Sequence, residues 1–252
     1  MSGHSKWATT KHRKAAVDAK RSKLFSKLSR IITVAAKTGG DPHPENNASL
    51  AAAISKAKSY SLPKDKIQTA IDKAFSSAAG ANYEEIIYEG YGSHGVALYV
   101  EALTDNRNRT AADVRQAFTR AGGSLGATGS VAFQFERVGE IVVDKSAAPD
   151  EEELLMAVME AGGNDLEDND EEFVVLTSPN DLANVKAGLE AAGVEVRGGE
   201  LAMRAKTPVT VTLDTAKKVM RLVDALEDLE DIQDVYHNME LTEEIALALD
   251  AE

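Results

Sequence analysis

The sequence predicts an α+β protein in which an N-terminal three-helix bundle precedes two ferredoxin-like βαββαβ domains, one inserted in the other. Two observations predict this fold. Apolar residues recur at helical spacing through the first 75 residues, and short strands alternate with helices after that point. A chain of 252 residues, 43% of them hydrophobic, is also long enough to bury two or three modest cores.

The first predicted helix has one apolar stripe, formed by Leu24, Leu28, Ile31, Ile32 and Ala35. Two glycines at 39–40 give a stop signal for this helix, and Pro63 separates a second helix from a third. Short amphipathic helices joined by short turns are typical of a small bundle. We therefore expect three packed helices before the strands begin.

A linker of small residues at 76–82 precedes the change from helical to strand periodicity. Residues 139–204 follow the complete order β-α-β-β-α-β, and the flanking segments, including expected strands at 130–136 and 208–213, form a second unit of that order. The predicted domains are a basic helical domain (1–78), a discontinuous α+β middle domain (79–137 and 206–252) and an inserted ferredoxin-like α+β domain (138–205).

The charges are strongly segregated along the chain. Residues 1–75 carry 15 Lys and Arg against 5 Asp and Glu, whereas the remainder carries 13 against 36. Such asymmetry indicates a segment that binds a polyanion, joined to a body that a polyanion repels. The acidic body should therefore restrict how the basic segment docks.

One stripe of the first helix is basic and consists of Lys20, Lys23, Lys27, Arg30 and Lys37. An exposed, solvated face is the ordinary explanation of a charge run. Here the acidic residues that usually alternate with such bases are missing, which favours a surface that faces phosphates.

The segment "SGHSKWATTKHRK" at 2–14 shows no periodicity and contains the only Trp of the chain. Four of its side chains can reach phosphates: Lys6, Lys11, Arg13 and Lys14. Trp7 can stack on a base or fill a gap in the bundle, and both interpretations stay open.

"TDNRNRT" at 104–110 lies between a predicted strand and the start of a helix, where free N–H groups favour an anion. Arg107 and Arg109 would add positive charge to a second phosphate contact. Alternatively, Asn106 and Asn108 shape the turn and cap the helix. The sequence leaves both interpretations open.

Several kinds of chemistry are not indicated by the sequence. Without cysteine there is no thiol nucleophile and no Cys-ligated zinc, and the five histidines lack metal-binding spacing. The acidic runs at 151–153 and 167–172 are typical of a helix first turn and a solvated turn. The glycine-rich stretch at 122–129 lacks the ending of a phosphate-binding loop and is expected to be a flexible connection. We therefore expect that the protein is not an enzyme and that it has no catalytic residue, no cofactor and no metal site.

The longest apolar runs are shorter than a membrane span requires, and cysteine is absent, so a reducing, cytoplasmic setting is expected. A basic, acid-poor N-terminus is also a feature of mitochondrial transit peptides, which leaves that alternative open.

Four long motifs resemble the YebC/PmpR family: "GHSKWATTKHRKAAVDAKRSKLFSKL", "IIYEGYGSHGVALYVEALTDNRNRT", "GGSLGATGSVAFQF" and "AKKVMRLVDALEDLEDIQDVYHNME". The resemblance covers essentially the whole chain. The family includes the mitochondrial translational activator of cytochrome c oxidase subunit one. The resemblance implies that this protein has one helical and two α+β domains. It also implies that the protein is a non-enzymatic regulator of gene expression.

The resemblance implies a transcriptional regulator that binds DNA. It also implies an alternative, a ribosome-associated factor that binds ribosomal RNA and relieves stalling at proline-rich sequences. Neither a membrane nor a small-molecule substrate is expected as a partner. The nucleic-acid-contacting positions it implies are Lys6, Trp7, Lys11, His12, Arg13 and Lys14, with Lys20, Arg21, Lys23 and Lys27 behind them.

The residues themselves lean toward RNA, because the basic helix lacks a recognition-helix pattern and no heptad indicates paired half-sites. Two positions depart from the usual motifs of the family. "GSHG" at 92–95 replaces "GPGG", and Ser22 replaces a glycine, which favours helix by a few tenths of a kcal/mol.

Overall fold

The computed structural model describes residues 18–76, 82–169 and 171–250. The chain divides into two compact units. The described part of the first unit is 18–76 with 137–169 and 171–202, and that of the second is 82–136 with 203–250. Each unit contains both α-helices and β-strands, which confirms the α+β class. The three-domain division stays a prediction.

The described helices, in chain order, are α1 (Asp18–Gly39), α2 (Ala48–Ser59), α3 (Lys64–Ala74), α4 (Arg107–Arg120), α5 (Glu151–Ala161), α6 (Leu182–Ala191), α7 (Leu213–Glu227) and α8 (Glu243–Asp250). The described strands are β1 (Glu84–Tyr91), β2 (Ala97–Thr104), β3 (Ser124–Leu125), β4 (Phe135–Asp144), β5 (Asp165–Asp168), β6 (Glu172–Thr177), β7 (Gly198–Ala205), β8 (Val209–Thr210), β9 (Ile232–His237) and β10 (Met239–Glu240).

Helices α1, α2 and α3 form the predicted three-helix bundle. Its core includes Leu28 and Ile32 of α1, which are 2% and 0% exposed. Two side-chain hydrogen bonds join the helices: Thr33 Oγ1 donates to the Ala70 carbonyl at 2.8 Å, and Asn47 Nδ2 donates to the Ala35 carbonyl at 3.1 Å. The bundle therefore fixes the orientation of α1 along its length.

The other part of the first unit has the sheet order β5-β6-β4-β7. The first and third strands of the βαββαβ series, β4 and β6, pair antiparallel in the centre of the sheet, and β5 pairs antiparallel with β6. Helices α5 and α6 cover the core of this sheet. The Asp150 carboxylate caps α5 by accepting from the Glu153 N–H at 2.9 Å. This is the ferredoxin-like arrangement that the sequence predicts.

The second unit has the sheet order β3-β1-β2-β9, with α4 and α7 packed on its core. Two strands expected from the sequence differ here. Residues 132–134 of the expected strand at 130–136 form a 3-10 helix, and the expected strand at 208–213 is reduced to β8, which pairs with β10. The place beside β2 in the four-stranded sheet is taken by β1, which pairs antiparallel with β2.

The buried carboxylate of Glu89 explains the first difference. Glu89 is 4% exposed, and it accepts hydrogen bonds from the N–H groups of Gly129 at 2.6 Å, Val131 at 2.7 Å and Ala132 at 2.8 Å. These donors are therefore not available to a strand ladder. Burial alone would raise the pKa of Glu89, but the three backbone hydrogen bonds lower it below its ordinary value. The glycine-rich connection is therefore held by a hydrogen bond to Glu89 at Gly129, where the sequence predicts a flexible segment.

Within the first unit, β7 packs directly on α2. Ser55 Oγ accepts from the Gly199 N–H at 3.1 Å and from Lys186 Nζ at 3.2 Å, and Lys56 Nζ lies 2.8 Å from Glu200 Oε2. This polar junction attaches the helical bundle to the inserted sheet.

Gly198 makes the junction sensitive to side-chain volume. A Cβ at this position would lie 2.4 Å from the Ser55 carbonyl oxygen and 2.5 Å from the Ser59 nitrogen. We expect Gly198→Ala to lower the free energy of unfolding by about 1–3 kcal/mol, the usual range for overpacking. Urea denaturation measures this change. Gly92→Ala is the matched control, because its methyl would meet only side-chain carbons at 3.1 Å or more. Equal stability of Gly198→Ala and the unaltered protein would contradict the close packing.

Among the described residues, no helix combines the length and the apolar character needed to cross a bilayer.

Candidate nucleic-acid interface

The basic surface of the bundle begins with Arg21 and Lys23 on α1. Both side chains are exposed, and the Arg21 guanidinium carbon lies 5.3 Å from the centroid of the Phe25 ring. This cation–π contact holds the guanidinium near the helix while leaving its edge accessible. Both residues are therefore placed to meet a phosphate.

Lys27 and Arg30 are less accessible than the sequence predicts. Lys27 is only 8% exposed, and Arg30 is half-buried. The neighbouring Leu24 and Ile31 pack against the bundle core, and a lysine stem buries readily along such apolar surface. Lys27 is therefore not exposed together with the rest of the predicted basic stripe, and its contact with phosphates stays a prediction.

The residues predicted to contact nucleic acid first lie outside the described part of the chain. These residues are Lys6, Trp7, Lys11, His12, Arg13 and Lys14. Lys20 belongs to α1, but its side chain is likewise outside the described part. Their contact with nucleic acid stays a prediction.

Helix α3 adds cations that the sequence analysis did not single out. Lys66 and Lys73 are exposed and lie seven residues apart, which places them on one face of the helix. Asp65 and Asp72 have the same spacing and form a second exposed stripe, about 100° around the helix from the two lysines. The seven-residue spacing of like charges was the available signal. Helix α3 therefore presents a basic stripe beside an acidic one.

The "TDNRNRT" segment folds as the capping alternative describes. The Asn106 side chain caps α4 by accepting from the Arg109 N–H at 3.1 Å. The Arg109 guanidinium donates from Nη2 to Asp105 at 2.9 Å and to Asp231 at 2.8 Å. Arg107 lies 3.5 Å from a carboxylate oxygen of Glu84. The positive charge expected for a second phosphate contact is thus balanced by neighbouring carboxylates.

Asp231 is the centre of this network. It is 7% exposed, and Oδ2 also accepts from Thr110 Oγ1 at 2.7 Å and from Thr104 Oγ1 at 3.1 Å. Burial would raise the pKa of Asp231, but the hydrogen bonds from Arg109 and Thr110 and the guanidinium charge lower it below its ordinary value. The hydrogen bonds that Arg109 donates to Asp231 and Asp105, together with the negative charge of both carboxylates, raise the pKa of Arg109. The network joins β2, α4 and the segment before β9.

The lowered pKa of Asp231 gives its contribution a defined pH dependence. A carboxylate whose pKa is lower in the folded than in the unfolded chain stabilises the fold above its ordinary pKa of 3.8. It loses that contribution as pH falls through the folded pKa. We expect Asp231→Asn to cost about 2 kcal/mol at pH 7, because charged hydrogen bonds are lost. The cost should shrink below pH 3.8.

Urea midpoints at neutral and acidic pH measure both effects. Asp113→Asn is the matched control, because Asp113 is exposed and lies on the same small cavity of about 180 Å³. A cost for Asp231→Asn that is equal at both pH values would show that the carboxylate charge contributes nothing.

Within the described ranges, no group of three or more His, Asp or Glu side chains lies close enough to hold a metal ion. The described basic residues instead provide exposed cations on a helical support. This chemistry suits binding to anionic groups.

The fold and this surface define a class of protein: a basic three-helix bundle joined to acidic α+β units. Two family profiles match the chain. The one described as the TACO1/YebC protein N-terminal domain matches residues 5–77, and the one described as the TACO1/YebC second and third domain matches residues 83–239. The chain belongs to the TACO1/YebC family.

Relatives of known sequence match over nearly the full length. A probable transcriptional regulatory protein, ORF2U, from Hathewaya histolytica is 48% identical, with 96% of this chain and 98% of that protein covered. One from Bifidobacterium animalis subsp. lactis (strain AD011), also called a probable transcriptional regulatory protein, is 49% identical, with both chains fully covered.

The fold of this chain can also be compared with a solved structure. The crystal structure of a conserved hypothetical protein, Aq1575 from Aquifex aeolicus, superposes with a TM-score of 0.80 at 44% sequence identity. The match covers 91% of this chain and 94% of that one. The fold is therefore shared with a member of known structure.

Proposed function

We propose that this protein is a non-enzymatic regulator of gene expression that binds DNA through its basic N-terminal segment and α1. The observation that carries the proposal is the charge of the bundle. Residues 18–76 hold 11 Lys and Arg against 5 Asp and Glu, in a chain whose net charge is −13. The names of the relatives, probable transcriptional regulatory proteins, support the same role.

The proposed contacts fall into two groups. Residues of the segment 1–17 reach the nucleic acid first: Lys6, Trp7, Lys11, His12, Arg13 and Lys14. Side chains on α1 follow them, with Arg21 and Lys23 contacting phosphates directly and Lys20 and Arg30 beside them. Lys27 contributes through the local potential, because its side chain is buried. Arg107 and Arg109 would contribute only after exchanging their carboxylate partners for phosphates.

An alternative function is translation: a ribosome-associated factor that binds ribosomal RNA and relieves stalling at proline-rich sequences. One observation favours it. Leu28, Ile32 and Ala36 of α1 are buried in the bundle, so α1 presents one basic face, and that face lacks the residue pattern of a major-groove recognition helix. A-form RNA is recognised largely through shape and phosphates, which such a face can supply. A cytoplasmic location is part of both proposals.

Ultraviolet crosslinking in cells, followed by sequencing of the bound DNA and RNA, separates the two proposals. Enrichment of promoter DNA without ribosomal RNA supports transcriptional regulation. Enrichment of ribosomal RNA at one site, without promoter DNA, supports the translation factor. Recovery of neither nucleic acid would contradict both.

Binding in either case should depend strongly on salt. If about five to eight cations contact phosphates, log K against log salt on duplex DNA should have a slope of about −4 to −7. Fluorescence anisotropy over a salt series measures the slope. A slope near zero would remove the electrostatic basis of both proposals.

A further inference from the structure

The outer face of α5 carries three large apolar side chains that remain exposed. Leu155, Met156 and Met159 are 43%, 62% and 61% exposed, whereas Leu154 and Val158 on the core side of the same helix are fully buried. The exposed positions lie within one turn of one another, so they form a continuous patch. We call this patch, Leu155 with Met156 and Met159, the methionine face.

Helix α6 does not cover the methionine face. It approaches α5 at Ala161, where a Cβ at Gly188 would lie 2.8 Å from the Ala161 Cβ. Ala161 lies on a different side of α5 from the methionine face, because successive residues turn by about 100°. The strand on the far side, β5, is the edge of its sheet. Among the described elements of this sheet, the methionine face therefore lies on the side of α5 away from α6.

The surroundings of the methionine face are acidic. Glu152 and Glu160 are exposed on α5 and flank the two methionines, and α5 contains no basic residue. Residues 138–205 as a whole carry 17 Asp and Glu against 4 Lys and Arg. Two of those four bases, Lys145 and Arg197, are paired with carboxylates of the same sheet. An apolar centre is thus enclosed by negative charge.

This combination selects the chemistry of the partner. A nucleic acid or an anionic membrane would be repelled by the carboxylates. A second copy of this chain docking face to face would bring the Glu152 and Glu160 side chains of both copies together, which is unfavourable. Methionine side chains adapt to varied apolar surfaces, and an amphipathic helix presents such a surface with its own charges at the rim.

We propose that the methionine face is a docking surface for a basic amphipathic helix of a partner protein. The apolar stripe of that helix packs on Met156 and Met159, and its Lys and Arg side chains pair with Glu152 and Glu160. This interaction uses no residue of the proposed nucleic-acid interface. It can therefore hold whether or not that interface is assigned correctly.

The probe for this surface is a synthetic helical peptide of roughly 18 residues, about five turns, with a Leu stripe and Lys elsewhere. Binding to the full-length protein is measured by fluorescence anisotropy. We expect Met156→Ser/Met159→Ser to weaken binding at least fivefold. Glu152→Gln/Glu160→Gln should weaken it at least twofold at low salt. Both variants alter only exposed side chains, and circular dichroism checks that they fold.

Two controls make the test decisive. Leu247→Ser removes an equally exposed side chain, 65% accessible, from the acidic helix α8 and should leave binding unchanged. A peptide with Glu in place of Lys should not bind. Equal losses for Leu247→Ser and the methionine variant would overturn the proposal, as would binding of the Glu peptide. A dimer in sedimentation that the methionine variant abolishes would also overturn it, in favour of self-association.

Discussion

Deletion of Met1–Lys14 should lower the affinity for a short DNA duplex by roughly a thousandfold at 0.15 M salt. The deleted segment contains four cations: Lys6, Lys11, Arg13 and Lys14. Each phosphate contact contributes about 0.9 to the salt slope, which corresponds to roughly 0.7 log units of affinity at this salt concentration. The slope itself should become less steep by about 3.6. Fluorescence anisotropy over a salt series measures both quantities.

The fold should survive this deletion, because the bundle core lies within α1, α2 and α3. An unchanged thermal midpoint checks this. Lys217→Glu/Lys218→Glu on α7 is the control for a general change of net charge, and it should alter affinity far less than the deletion. If the deletion leaves affinity intact, the contact lies elsewhere, and the exposed cations on α1 and α3 become the next residues to test.

Replacement of Glu89 by Gln should lower the free energy of unfolding by about 3 kcal/mol, because hydrogen bonds to a buried charge are lost and one donor is left unsatisfied. The carboxylate accepts from three backbone N–H groups, at Gly129, Val131 and Ala132. A glutamine offers only one acceptor atom, and its NH₂ would face another donor. Urea denaturation at pH 7 measures the loss.

The same variant has a predicted pH signature. The pKa of Glu89 is lower in the folded chain than its ordinary value of 4.5, so the carboxylate stabilises the fold above that value. This contribution disappears as pH falls through the folded pKa, and the difference between the unaltered protein and Glu89→Gln should then narrow. Glu85→Gln, exposed on the same strand, is the control and should have little effect. A large effect of Glu85→Gln, or none of Glu89→Gln, would contradict the role of the buried carboxylate.

Local patterns predicted the helical bundle well. Two glycines marked the end of α1, which ends at Gly39, and Pro63 lies immediately before α3. The apolar stripe of α1 is buried as its spacing requires. These features depend on neighbours in sequence, and the residues themselves carry the information. The order of the inserted sheet also followed from the order of its elements.

Long-range polar contacts were not predictable in the same way. Glu89 binds donors 40 to 43 residues away, and Asp231 binds Arg109 across 122 residues. No periodicity encodes such pairs, so the sequence did not reveal that part of the strand expected at 130–136 is a 3-10 helix. For the same reason it did not reveal that the arginines of "TDNRNRT" pair with carboxylates. The capping alternative for this segment was predictable, because an Asn cap is a local signal.

The candidate interface was predicted unevenly. Arg21 and Lys23 are exposed as expected, whereas the side chain of Lys27 is buried. Helical spacing could not predict this burial, because it does not report how far a long side chain folds back onto apolar neighbours. Lys66 and Lys73 of α3 are exposed and lie seven residues apart, but they were not part of the predicted interface. The contacts of residues 6–14 stay predictions.

The junction of α2 with β7 places charges of opposite sign in one body. The helical bundle is basic, and the inserted segment at 138–205 has 17 acidic residues against 4 basic ones. Such a body has a large electric dipole moment, and the field of a polyanion exerts a torque on it. Rotation during the approach to the polyanion would then present the bundle first, so that a larger fraction of encounters has the productive orientation. Weakening the junction at Gly198 would decouple the two ends and slow association even with every cation in place.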